Sequence, residues 1–162
     1  MAELTVLEEK LAEVLGLAMA AKAATQKVSR LTDEPQLSSV LERMHQEADE
    51  TESRCTEVAG GIDGKKTAIL EKARETKSEG SEMMDTYLGD DADALDGFEF
   101  LTMAEAGEVG HWSVLRKLNE RAGRDDVRQL VDWALPIQER HLQDALNGAV
   151  ELAGAEDPND TS

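Results

Sequence analysis

The sequence has few of the residues that build β-sheets or disulfide-bonded cores. Aromatic residues make up 3% of its 162 residues, and it contains three prolines and one cysteine, Cys55. A single cysteine excludes an internal disulfide. The shortage of aromatic residues, together with abundant Ala, Leu, Glu and Lys, favours helix over sheet. We therefore expect an all-α protein with Cys55 on the apolar side of a helix.

Long apolar runs and basic residues are also scarce. No stretch reaches the roughly 18 consecutive apolar residues that suggest a membrane span, and no signal peptide is recognisable, so we expect a cytoplasmic protein. Lys and Arg number 17 against 35 Asp and Glu, a formal net charge of −18. This charge disfavours nucleic acid and anionic membranes as partners. It fits either ordinary solubility or adaptation to a high-salt cytoplasm.

Apolar residues recur at helical spacing along five segments. The predicted helices run from about Leu4 to Arg30, Pro35 to Val58, Lys65 to Tyr87, Asp96 to Ala122, and onward from Asp125. The third segment is less amphipathic and is long enough to cross a bundle from end to end. Pro136 should disrupt the fifth helix. We predict one domain, residues 1–153, and a disordered acidic tail, residues 154–162.

Two carboxylates lie where the fourth helix should be apolar. Glu105 and Glu108 share a stripe with Leu101 and Trp112. A buried charge is costly unless it is paired or bound to a metal, so this stripe indicates a metal site between helices. The alternative is a buried ion-pair network, with Lys22 or Arg54 as the cation.

Other chemistries have little support in the sequence. Glycine-rich phosphate loops, Cys-x-x-Cys pairs and nucleophile elbows are absent. A hydrolase is therefore not expected.

The run Glu105-x-x-Glu108-x-x-x-Trp112, followed by a loop at Gly123 and by Gln138-x-x-His141, resembles the last two core helices of ferritin-like proteins. It is most similar to the stress-associated YciE/YciF-like branch. The resemblance spans roughly the whole chain, and it implies a ferritin-like four-helix bundle with an additional helix in the crossover between helices two and three. It also implies room for a two-metal carboxylate site.

The resemblance assigns metal ligands position by position. Glu105 and Glu108, on the fourth predicted helix, match the carboxylates of the third core helix of the family, because the crossover helix is not counted among the core helices. His141 matches the histidine of a Glu-x-x-His pair whose glutamate is replaced here by Gln138. Glu47 matches the inward carboxylate of helix two. The candidate ligands are Glu47, Glu105, Glu108 and His141, with Glu50, His111 and Gln138 as further candidates.

Helix one departs from the family pattern. Its inward stripe reads Ala18, Ala21 and Thr25 where a ferritin-like protein would place a glutamate, and Glu13 is the nearest substitute. The donor set therefore falls short of the four carboxylates and two histidines of a full di-iron site. It could still hold one ion of Fe(II), Mn(II) or Zn(II).

Three functional hypotheses follow. The first is a homodimeric, or larger, metal-binding protein that holds one or two iron or manganese ions and, if active, oxidises Fe(II) or consumes peroxide in stress defence. The second is a ferritin-like scaffold with a degenerate, metal-free site that acts as a structural or interaction module. The third is a ligand-binding bundle that uses a cavity beside Ala18 and Ala21.

Overall fold

The computed structural model describes residues 2–161, which form five α-helices and, within that range, no β-strand. The prediction of an all-α protein is confirmed, and the predicted helix ends differ from the observed ones by at most two residues. The helices are α1 Val6–Ser29, α2 Pro35–Gly60, α3 Lys66–Tyr87, α4 Ala94–Ala122 and α5 Asp125–Gly154.

Local hydrogen bonds fix several helix ends. Thr5 with Glu8, and Asp93 with Asp96, form reciprocal capping boxes that satisfy backbone N–H groups at the starts of α1 and α4. Gly123 ends α4 in the left-handed region, at φ 68°, where a side chain would be strained. The short connection that follows makes α4 and α5 neighbours.

Four of the helices pack in a closed ring. Helix α1 contacts α2 and α4, and α5 contacts α2 and α4. Helix α3 packs mainly against α1 and makes few contacts with α4. The close approach of α1 and α3 depends on Gly16, because a Cβ there would collide with the backbone carbonyl of Ala73. Helix α3 therefore lies beside the ring, against α1.

The apolar core forms two clusters. One surrounds Trp112 and includes Cys55, which is fully buried as expected; the other surrounds Phe98 and Leu101. Along α4, the segment between Leu101 and Trp112 carries Glu105 and Glu108. The two carboxylates therefore lie between the two apolar clusters.

Helix α5 runs without interruption through Pro136, so the predicted disruption of this helix is wrong. A single proline can be accommodated inside a long helix because tertiary packing can override the local preference of one residue. Beyond the helix, residues 155–161 are exposed and form turns. Ser162, the end of the predicted tail, lies outside the described residues. None of the described helices has both the length and the apolar character needed to cross a membrane.

Candidate functional site

A polar cluster lies inside the ring of helices, with side chains from α2, α4 and α5. Glu105 and Glu108 of α4 are 1% and 4% exposed, and Gln138 and His141 of α5 are 3% and 1% exposed. Glu47 of α2 joins them from a more accessible position. The structure thus brings together five of the seven candidate ligands.

The two α4 carboxyl groups have no basic side chain as a hydrogen-bond partner among the described residues. The Gln138 amide donates a hydrogen bond to Glu105 Oε2 at 2.9 Å. Burial raises the pKa of both carboxyl groups, and the neighbouring Glu105 charge raises that of Glu108 further. Two like charges this close cannot both be ionised cheaply, so the pair retains at least one proton near neutral pH.

The negative charge of Glu47, unlike that of the α4 carboxyl groups, is balanced by an arginine. Its carboxylate accepts a hydrogen bond from Arg140 Nη1 at 2.8 Å and a second from Nη2 of the same guanidinium. This fork-shaped pairing keeps the pKa of Glu47 below its usual value. Arg43, four residues before Glu47, adds a longer contact of 3.8 Å. Glu47 therefore stays ionised with a permanent cation against it.

His141 links the two carboxylate groups of the cluster. Its Nε2 lies 3.2 Å from Glu47 Oε1, and its Nδ1 lies 3.8 Å from Glu105 Oε2. Burial lowers the pKa of His141, so the neutral imidazole is the main form at pH 7. Because an ionised carboxylate can only accept, the ring proton belongs on Nε2, and the unprotonated Nδ1 faces Glu105.

Glu50 and His111 lie outside the cluster. Glu50 is exposed and pairs with Arg54 at 2.9 Å. The His111 Nδ1 lies 2.8 Å from the Gly107 carbonyl, and its Nε2 is 3.6 Å from Glu13. Reaching the bundle centre would require both side chains to leave these partners.

Lys22 and Arg54, the cations that the sequence suggested as partners of the α4 carboxylates, do not contact this cluster. Lys22 pairs with Asp49 and Glu52 at 2.8 and 2.7 Å, and Arg54 stacks over the ring of Trp133 at 4.2 Å. The alternative of an ion-pair network, in which Lys22 or Arg54 pairs with the α4 carboxylates, is therefore wrong, since both cations are engaged elsewhere.

Arg140 is the functional residue that sequence reasoning missed. It stands directly before His141 and pairs with a residue 93 positions away. Helical spacing reports which residues share a face, but it does not report which long cation will reach across to α2. The sequence did indicate that an inward-facing Glu47 needs a positively charged partner, but it did not indicate which residue that partner is.

The residues do not fit a two-metal site. Within residues 2–161, no three His, Cys, Asp or Glu side chains are arranged so that they could hold one ion. Helix α1 offers no carboxylate at the centre, because Ala18 is buried there and the Thr25 hydroxyl donates to the carbonyl of Ala21. Glu13 instead contacts Lys10 at 2.8 Å.

An apolar groove opens beside the polar cluster, between α1, α3 and α4. Its volume is about 240 Å³, and small residues of α1, including Ala21, form one wall. Met83 and Met103 line it and are exposed, so the groove opens to solvent. Glu105 and Glu108 also line it. The groove therefore connects solvent with the buried carboxyl pair.

Comparison with known proteins supports the fold. No protein-family model matches the chain, and no curated protein matches it. The crystal structure of the E. coli stress protein YciF is similar, with a TM-score of 0.70 and 15% sequence identity over 93% of this chain and 96% of that chain. The chain thus has a YciF-like all-α fold. At this identity the likeness shows the fold alone.

Proposed function

We propose that this chain is a ferritin-like four-helix bundle, with α3 as the crossover helix, whose central cluster works without a metal and whose groove makes it a binding module. The YciF-like fold and the ring of four helices support the architecture. The observation that carries the functional part is the Arg140 guanidinium on both oxygens of Glu47.

The charge balance of the cluster explains why this observation matters. An arginine side chain stays protonated at all relevant pH values, so Glu47 has its cation built in. The α4 carboxyl groups retain a proton, and Gln138 donates to one of them. A divalent ion would have to displace Arg140 from Glu47 and remove the proton from the pair. Both displacements oppose metal binding.

A second candidate is metal binding, and one observation favours it. Glu105 and Glu108 are buried without a basic partner, and a divalent cation is one group that would pair with them. Together with His141, whose Nδ1 lies 3.8 Å from Glu105, they would supply the carboxylate and imidazole donors that iron and manganese accept, once the side chains had rearranged around an ion. On this reading the protein binds one or two ions and supports Fe(II) oxidation or peroxide removal. A role in stress response, suggested by the description of YciF as a stress protein, belongs to this candidate.

Elemental analysis separates the two candidates. The protein is purified gently, analysed for iron, manganese and zinc, then stripped with chelator, reloaded with Fe(II) or Mn(II) under exclusion of oxygen, and analysed again. We expect no stoichiometric ion at either stage. About one or two ions per chain, lost in Glu108→Ala, would overturn the metal-free proposal.

Arg140→Gln is the matched variant for this test. It removes the cation from Glu47 and leaves a neutral polar side chain in its place. If the guanidinium excludes metal, the variant should bind Mn(II) more tightly than the wild type. Equal uptake by both proteins would contradict the role given to Arg140.

The cytoplasmic location and the homodimer also stay proposals. Light scattering coupled to size-exclusion chromatography measures the molar mass directly. A mass twice the 17.7 kDa of one chain is the expected result. A mass of one chain would contradict the dimer.

A further inference from the structure

We propose that the groove between α3 and α4 binds a small apolar amine, with its hydrocarbon part against the groove walls and its ammonium group at the Glu105 and Glu108 carboxyl groups. This inference names the ligand class of the binding module proposed above, and it rests on that proposal. A metal ion on the same carboxyl groups would exclude the amine.

The walls of the groove determine the body of the ligand. They consist of small and apolar side chains, among them Leu17, Ala21, Met84 and Leu101, and α3 contributes Gly80 where it faces α1. Such a surface gains free energy by covering hydrocarbon and offers few hydrogen bonds to a polar ligand. The body of the ligand is therefore a hydrocarbon chain or a ring.

The carboxyl pair determines the head of the ligand. Glu105 and Glu108 are the two acidic residues that line the groove, and none of the described lining residues is Lys or Arg. Gln138 is the amide that donates to Glu105 from the far side. An ammonium group brings three N–H donors and a positive charge, and hydrogen bonds between ionised partners are the stronger kind. The net charge of −18 also attracts cations towards the protein.

The volume limits the size of the ligand. At about 240 Å³ the groove is larger than a cavity of about 150 Å³ that accommodates benzene, and smaller than the roughly 300 Å³ at which pockets for drug-sized ligands begin. A single ring with a two-carbon arm is therefore a suitable probe. The compounds we would use are 2-phenylethylamine, the neutral 2-phenylethanol and the anionic 3-phenylpropanoate.

The test is a titration of the full chain with each compound, in the presence of chelator, by calorimetry and by NMR of the backbone amides. The amine should bind with shifts at Gly80 and Ala104, the alcohol about tenfold or more weakly, and the anion not measurably. Glu105→Gln should weaken amine binding and leave the alcohol unchanged. Equal binding of all three compounds, or no binding of the amine, would overturn the proposal.

Two glycine variants on α4 test the location. A Cβ at Gly107 or at Gly110 meets nothing within 4 Å, yet only Gly107 lines the groove. Both substitutions replace a poor helix former, so neither should unfold the protein. Gly107→Leu should abolish amine binding, and Gly110→Leu should retain it. Equal affinity of the two variants would place the amine elsewhere on the acidic surface and refute the site.

The outcomes remain separable from those of the metal test. Absence of both metal and amine binding would refute the ligand class and leave the metal-free cluster standing. A stoichiometric metal ion on Glu108 would refute the functional proposal itself.

Discussion

The buried carboxyl pair should make the stability of the protein fall as the pH rises, and Glu108→Gln should remove part of that fall. Burial raises the pKa of Glu105 and of Glu108 in the folded protein. The unfolded chain releases these protons near the ordinary glutamic acid pKa of about 4.3. Between that pH and the folded pKa, the folded protein therefore binds more protons than the unfolded chain.

The sign and size of the effect follow from this difference. Below the ordinary pKa the carboxyl groups are protonated in both the folded and the unfolded protein, so the pair does not make the free energy of unfolding depend on pH. Above it, each proton retained only by the folded state lowers the free energy of unfolding by about 1.4 kcal/mol per pH unit, until the folded pKa is passed. Glu108→Gln removes one such proton. Between pH 5 and pH 7 the variant should therefore gain up to about 3 kcal/mol relative to the wild type.

The assay is urea unfolding followed by circular dichroism at pH 5, 6, 7 and 8, at constant ionic strength. The control is Glu99→Gln, which removes an exposed carboxylate from the same helix. It should follow the wild-type pH dependence. If the curves of wild type and Glu108→Gln stay parallel over the whole range, the carboxyl pair does not retain a proton, and our reading of the cluster is refuted.

Three further substitutions have defined outcomes in the same urea assay at pH 7. Arg140→Gln should lower the free energy of unfolding by about 1–2 kcal/mol, because Glu47 loses two charge-assisted hydrogen bonds at a partly exposed position. An unchanged free energy of unfolding would show that the Arg140–Glu47 pair is not formed in solution. Gly16→Ala should destabilise by about 1–3 kcal/mol, because the new Cβ collides with the Ala73 carbonyl and forces α1 and α3 apart. Gly110→Ala should instead stabilise by about 0.5–1 kcal/mol, since the methyl group is unobstructed and alanine favours helix; the same sign for both glycine variants would contradict the packing described here.

The helices were predictable from the sequence because each has a periodic apolar stripe. The stripe of α4 also predicted that Glu105 and Glu108 turn inward, and both are buried. Gln138 and His141 of α5 were candidates from the resemblance to ferritin-like proteins, and both are buried as well. Which residues of one helix face the core is a property of that helix alone, and helical spacing determines it.

Relations between helices were less predictable. The pairing of Arg140 with Glu47 joins α5 to α2, and no local pattern specifies it. The groove lies where α3, which packs on α1 at Gly16, makes few contacts with α4. Local reasoning predicted a disruption at Pro136, but α5 continues through it, because tertiary packing can override the local preference of one residue.

Site-resolved carbon NMR of the glutamate carboxyl groups distinguishes a buried carboxyl pair that retains a proton from a metal site. Protein labelled in glutamate is titrated from pH 4 to 9, with and without an excess of diamagnetic Zn(II), and Glu105→Gln and Glu108→Gln assign the two signals. We predict that at least one of the two carboxyl groups titrates above the ordinary glutamic acid range and that Zn(II) leaves both signals in place. If both groups titrate in the ordinary range, the pair does not retain a proton near neutral pH, and the proposed charge balance of the cluster is wrong. If Zn(II) shifts both signals at one equivalent, the centre of the bundle binds metal, and the metal-free proposal is wrong.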